Sequence, residues 1–205
     1  MFSERLLLAS ASPRRLEIVK KLGFDPIVEP VDLDESIFDD SAIPDRVVAL
    51  AEAKARLSAR LTKSDCRWIL GADTLVGLEE QTFGKAENAE TARGMIRALS
   101  GRTHSVSTGL CLLDRQHGDR AHSILSETRV SFAEMSDMEV DYYIATGEWK
   151  GAAGAYRIQD TASLFIERIH GSFTGVVGLP IREFYVILQR SAFPVPFGRV
   201  GTADR

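Results

Sequence analysis

The chain has 205 residues, 44% of them hydrophobic and 26% charged, with a formal net charge of −4. That is enough for one compact unit with a substantial core, and it carries no overall positive field to hold long nucleic acid or an anionic membrane, so an anionic ligand has to be met by local basic residues. Cys66 and Cys111 match no CxxC or Cys/His metal spacing; a reducing, cytoplasmic setting is expected, and the apolar run near Met1 is too short for a signal peptide or a membrane span.

In chain order, residues 5–9 read as a short buried strand, because LLLA is continuously apolar and is bounded at once by Ser12-Pro13. Serine at an N-cap followed by proline at the first helical position starts a helix over residues 13–22, and Gly23 ends it. A second strand over 24–29 leads into the acidic loop Asp32-Leu33-Asp34-Glu35. Pro44 then opens a helix with Val47, Val48, Ala51, Ala55 and Leu57 along one side and Lys54 inside it. Residues 68–78 are apolar enough for a central strand, yet they contain a single carboxylate, Asp73. A helix over 88–99 stops near Gly101. Two alternating segments, 103–113 and 121–132, joined by Gln116-His117-Gly118-Asp119, form an antiparallel hairpin.

Ser136 with Glu139 is a capping-box pattern, giving a helix over 137–145 closed by Gly147. A Gly/Ala-rich stretch, 151–155, interrupts regular structure before a strand over 163–170, and Pro180 starts the last helix. The Gly- and Pro-rich segment 194–205 reads as a loose tail after a single unit spanning 1–193. The mixture of one βαβ-like start and a hairpin predicts an α/β (α+β) fold around a mixed sheet.

Three groups of residues carry possible chemistry. Ser10 to Arg15, SASPRR, stands where a strand hands over to a helix, so free N–H groups, the helix dipole, two hydroxyls and two guanidinium groups converge where a triphosphate could sit. An ordinary helix start with solvated arginines accounts for the same residues. Asp73, inside an apolar strand, demands a partner, a hydrogen bond or a metal. With Glu35 it makes a sufficient carboxylate pair for Mg²⁺, which takes one or two acids and leaves the rest to phosphate and water. A strand-end cap, and for Glu35 a solvated acidic run with Asp32, Asp34, Asp39 and Asp40, are the plainer readings. Lys54 and Lys85 suit phosphate oxygens but are also common surface residues. His104 is read as an exposed strand residue rather than a proton carrier. No Ser/His/Asp order, HExxH, Walker A or GxGxxG motif is present.

Taken together and in this order, LASASPRR, DLDE, LAEAKA, GADTLV, FGK, LSGRTHSVSTGL, GAYRIQ and GSFTGVVGLPI resemble the Maf nucleotide pyrophosphatases over nearly the whole chain, to about Gln189. The resemblance implies a two-lobed fold with a mixed, curved sheet and a central cleft, like the Maf and inosine triphosphatase-like enzymes, commonly as a homodimer. It also implies a divalent metal, Mg²⁺ or Mn²⁺. On that resemblance Ser10, Arg14, Arg15, Glu35, Lys54, Asp73 and Lys85 line a triphosphate and metal site, with Glu35 and Asp73 as metal ligands and Asp73 as the proton acceptor. Arg14, Thr74 and Gln159 correspond to positions tied to nucleotide choice.

GAYRIQ resembles the branch acting on dTTP and UTP, whereas the 7-methyl-GTP branch tends to carry a glutamate-containing segment there. An amide at Gln159 offers a donor and an acceptor to the O4, N3–H and O2 edge of uracil or thymine. Arg157 and Asp160 stand where that branch usually has glycines, and Ala86 replaces a usual proline. The expected function is hydrolysis of dTTP and UTP, and of modified pyrimidine nucleotides, to monophosphate and pyrophosphate. Competing readings are a pyrophosphatase for 7-methyl-GTP or another non-standard nucleotide, and a non-catalytic regulator of cell division at the septum. The net charge speaks against nucleic acid as partner.

Overall fold

Strand β1 (Leu6–Leu8) is buried at every position, as a strand covered on both faces must be. The computed structural model to which it belongs describes residues 4–38 and 40–196; Asp39 and residues 197–205, the larger part of the expected tail, lie outside the described residues. Of that tail's beginning, Val195 packs against one of the apolar clusters.

After β1 the chain turns into helix α1 (Pro13–Lys21), capped by Ser12, whose side chain accepts from the Arg15 N–H, with Pro13 in the first turn. Strand β2 is only Ile27–Val28, shorter than the predicted 24–29, because Phe24 leaves the strand path to pack between Phe184 and Phe193. The acidic loop is partly ordered as a 3₁₀ turn, Glu35–Phe38, just ahead of the long helix α2 (Ile43–Leu61). Strand β3 (Trp68–Leu78) has the predicted bounds and is followed by a short strand, β4 (Gln81–Phe83), which the sequence reading did not identify.

Helix α3 (Ala89–Leu99) leads to β5 (Thr103–Asp114) and β6 (Arg120–Phe132), the expected hairpin. Helix α4 (Asp137–Thr146) carries the full capping box between Ser136 and Glu139 and ends at Gly147 in the left-handed region. The predicted strand 163–170 divides in two: Thr161–Phe165 is a 3₁₀ helix and only β7 (Ile166–His170) is strand. Ala162 and Phe165 are drawn into the core, which fixes that half as a turn. A short helix, α5 (Phe173–Val177), and a terminal one, α6 (Ile181–Arg190), complete the fold.

The sheet order is β2-β1-β3-β5-β6-β7, with β4 also on β3. β1 runs parallel to β2 and β3, and the remaining pairs are antiparallel, so the sheet is mixed as predicted. Three apolar clusters surround it. One joins β1 and β3 to α1 and α6 through Val19, Trp68, Phe184 and Ile187. The second lies on the opposite face under α2, with Ala51, Ala55, Ile69 and Cys111. The third fills the other end of the long strands, beneath α3 and α4.

Two consequences position the site. β1 pairs only with residues 68–70 of β3, and β4 only with 76–78, on the edge opposite β5. Residues 71–75 therefore have no strand neighbour on that edge among the described residues, and a cleft opens at the carboxyl end of β1, where open α/β sheets commonly take ligands. Glycines set the depth of α2: a Cβ on Gly71 would fall 2.0 Å from the Ala51 carbonyl oxygen and one on Gly109 2.2 Å from that of Val47. Only glycine admits so close a backbone approach, and it brings α2 hard against β3 and β5.

Candidate active site

The cleft holds a cavity of about 340 Å³, and its walls include Ser10, Arg14, Arg15, Glu35, Lys54, Asp73, Thr74, Lys85 and Gln159. All nine residues singled out from the sequence thus meet in one place, although they come from six separate stretches of chain.

Strand alternation explains the carboxylate end. Ile69, Gly71 and Asp73 share the face on which α2 lies, so Asp73 points at Lys54. The Lys54 ammonium stands 2.6 Å from Asp73 Oδ1 and 2.6 Å from Glu35 Oε1, with side-chain exposures of 13% for Lys54, 8% for Asp73 and 44% for Glu35. Burial works to raise the Glu35 carboxyl, but the hydrogen bond and charge of Lys54 outweigh it and hold the group below its ordinary value. Asp73 Oδ2 is buried and has no hydrogen-bond partner among the described residues. A buried carboxylate oxygen left unsatisfied is costly, so this atom suits a cation or a water. Among the described residues no three acidic, histidine or cysteine side chains gather around a metal position; a Mg²⁺ site shared with phosphate needs no more than the Glu35–Asp73 pair, and the donors present fit one.

The basic end is built on Arg15. Its Nε donates to the Gly178 carbonyl at 2.8 Å, one Nη to Ser10 Oγ at 3.0 Å and the other to Thr74 Oγ1 at 3.1 Å. Thr74 in turn meets Thr108 Oγ1 at 2.9 Å, and Thr108 donates to the Gly175 carbonyl at 2.9 Å. Arg14 donates to the Gly151 carbonyl at 2.9 Å. Every one of these acceptors is neutral, so the two guanidinium charges stay available to an anion. Burial, more than any neighbour, lowers both groups from the ordinary arginine value, and both remain cations.

At the mouth, Gln159 is exposed and its Nε2 donates to Asp160 Oδ2 at 3.3 Å. Arg157 donates to the Lys150 carbonyl at 3.0 Å and lies 3.8 Å from Asp160. Among the residues of the cavity that sequence reasoning did not assign are Lys150, Tyr156 and the Val176–Gly178 edge; the last two lie inside GAYRIQ and GSFTGVVGLPI, whose order along the chain is their only signal.

His104 requires a correction. It is 2% exposed, not a surface strand residue, because its face of β5 is roofed by Phe132 and Tyr156, both edge-on to the imidazole. Its Nε2 sits 2.8 Å from the Tyr156 hydroxyl, so it braces a wall of the cavity. Burial pushes the imidazole down to about 4 from 6.5. A histidine depressed in the folded state contributes stability that is complete above the unfolded value and is lost as pH falls from 6.5 towards 4. We expect this one group to cost about 2–3 kcal/mol of stability between pH 7.5 and 4.5. Urea unfolding of wild type and His104→Gln across that range checks it: the variant should lose distinctly less, and parallel curves refute the assignment.

Comparison with known proteins points to one family. A family model described as Maf-like protein matches residues 5–191. A Treponema denticola protein named dTTP/UTP pyrophosphatase is 42% identical over 204 residues, covering 94% of this chain and 99% of its own length. An Agrobacterium fabrum protein of the same name is 38% identical over 200 residues, covering 95% and 96%. Among solved structures, a HAM1 protein from Coxiella burnetii matches 91% of this chain and 99% of its own, with a TM-score of 0.50 at 15% identity; that likeness concerns the fold alone.

Proposed function

The chain belongs to the Maf family, and on that premise we propose that it is a nucleoside triphosphate pyrophosphatase that cleaves dTTP and UTP between the α and β phosphates. The observation that carries the reading is the shared cavity: a basic turn, two lysines and a carboxylate pair face one another across a space of about 340 Å³.

In this reading water attacks the α-phosphorus and Asp73 accepts its proton, while pyrophosphate leaves. Arg14, Arg15, Lys54 and Lys85 stabilise charge on the transferred and departing phosphates, the dominant contribution in phosphoryl transfer. Ser10 and the N–H groups of the following turn orient an oxygen of the phosphate chain. A divalent cation, Mg²⁺ or Mn²⁺, when held by Glu35 and Asp73, supplies Lewis-acid polarisation of phosphate oxygens. Gln159, with Thr74 and Arg14, selects the base. Because Asp160 is an acceptor only, the nitrogen end of the Gln159 amide turns to it, leaving the carbonyl oxygen for a base N–H such as N3–H of uracil or thymine. We further assign residues 1–193 to one two-lobed unit that works in the cytoplasm as a homodimer, without nucleic acid as a partner.

The test is a panel of dTTP, UTP, CTP, ATP, GTP and 7-methyl-GTP with separate detection of phosphate and pyrophosphate. Pyrophosphate should be the product, and dTTP and UTP should exceed the others by about a hundredfold or more in kcat/KM, as polar matching of a base edge allows. Preference for a purine nucleotide refutes the base assignment, and release of single phosphates refutes the cleavage position.

A further inference from the structure

Lys54 sits where the divalent cation of the preceding reading would go. Its ammonium is 2.6 Å from Glu35 Oε1 and 2.6 Å from Asp73 Oδ1, the two carboxylates assigned to the metal. That one ammonium contacts both carboxylates, with Lys85 and Arg46 acting on Glu35 and Arg15 on both acids from further off, and Asp73 Oδ2 remains buried without a hydrogen-bond partner among the described residues. The cluster is thus already held by a cation, with one carboxylate oxygen still unfilled. The backbone that carries Lys54 is fixed, since α2 lies against the backbone of β3 and β5 at Gly71 and Gly109. The side chain is not fixed in the same way, being a point charge on a flexible four-carbon stem.

We infer that Lys54 and a divalent cation compete for the Glu35–Asp73 pair: the ammonium is the counter-ion of the metal-free site, the arriving cation releases it from the carboxylates, and the released ammonium turns to the phosphates of the nucleotide. This rests on the metal assignment above and adds a hand-over to it. Two cations cannot share the same carboxylate oxygens at contact distance, because their mutual repulsion in a partly buried site is large. Metal binding is therefore weak while Lys54 lacks another anion, and nucleotide binding strengthens it by giving Lys54 a new partner, a reciprocal coupling between the two ligands.

The experiment is a titration of the nucleotide-free protein with Mn²⁺, reading free ion by electron paramagnetic resonance, for wild type, Lys54→Met, Lys54→Arg and Asp73→Asn. Lys54→Met should bind Mn²⁺ about tenfold tighter or more, Lys54→Arg no tighter than wild type, and Asp73→Asn more weakly. A folded Lys54→Met protein that binds no tighter, with Asp73→Asn weakened, overturns the competition and leaves the metal site standing. Unchanged affinity in Asp73→Asn places the ion elsewhere and overturns both. Should Lys54→Met not fold, reductive methylation of the wild type replaces it: Lys54 should label faster once Mg²⁺ is added, and an unchanged rate overturns the competition.

Discussion

Asp73→Asn is expected to lower kcat for dTTP and UTP by about a thousandfold or more while leaving the fold, and nucleotide affinity measured without metal, near wild type. Positioned proton transfer contributes roughly 10²–10⁴ in rate, and an amide in place of the carboxylate has the same shape but cannot take a proton from water. The fold should tolerate the change. The amide oxygen can still accept from Lys54, and the ammonium keeps Glu35 at 2.6 Å. The buried Oδ2, which has no hydrogen-bond partner among the described residues, loses no such bond on becoming an NH₂. Single-turnover rates, thermal melting and nucleotide titration of the variant check the three parts separately. Turnover within tenfold of wild type removes Asp73 as the base, and a large fall in melting temperature shows that its role is structural.

What the sequence revealed about this site follows the range of the interactions involved. The bounds of β3, the β5–β6 hairpin and the capping box at Ser136 were readable because alternation and capping act over a few residues. Strand β2 and residues 163–165 differ from their sequence pattern because their state is decided by distant packing: Phe24 by Phe184 and Phe193, and Phe165 by burial in the core and by the Ala133 N–H that donates to its carbonyl at 2.8 Å. The burial of His104 is not legible locally because its partner, Tyr156, is 52 residues away. Asp73 was suspect from its strand alone, since an acid among apolar residues needs a reason. That the reason includes Lys54 was hidden: nothing in a spacing of 19 residues announces a 2.6 Å contact. The two glycines that let α2 approach, Gly71 and Gly109, look in the sequence like weak points of a strand, and in the fold they are what brings the lysine to the acid.

The same reasoning makes Arg15 the residue whose loss should do most damage at the basic end. Its three acceptors lie 5, 59 and 163 residues away in sequence, on the turn after β1, on β3 and on the loop after α5. One guanidinium thus ties three walls of the cavity together while presenting a charge that no carboxylate among the described residues pairs with. Arg15→Met should cost about 2–3 kcal/mol of stability, because Ser10 Oγ and the Gly178 carbonyl lose a charged donor. It should also lower kcat/KM by about 10²–10³, the scale for removing one preorganised group that stabilises transition-state charge. Arg15→Lys separates the two effects. It restores a positive charge but not the planar fork that reaches three acceptors, so part of the rate should return while melting temperature stays low. Steady-state kinetics and thermal melting of both variants decide it: kcat/KM within threefold of wild type in Arg15→Met would show that the charge does not act on the substrate, and full recovery of stability in Arg15→Lys would show that the three-way contact does not brace the cavity.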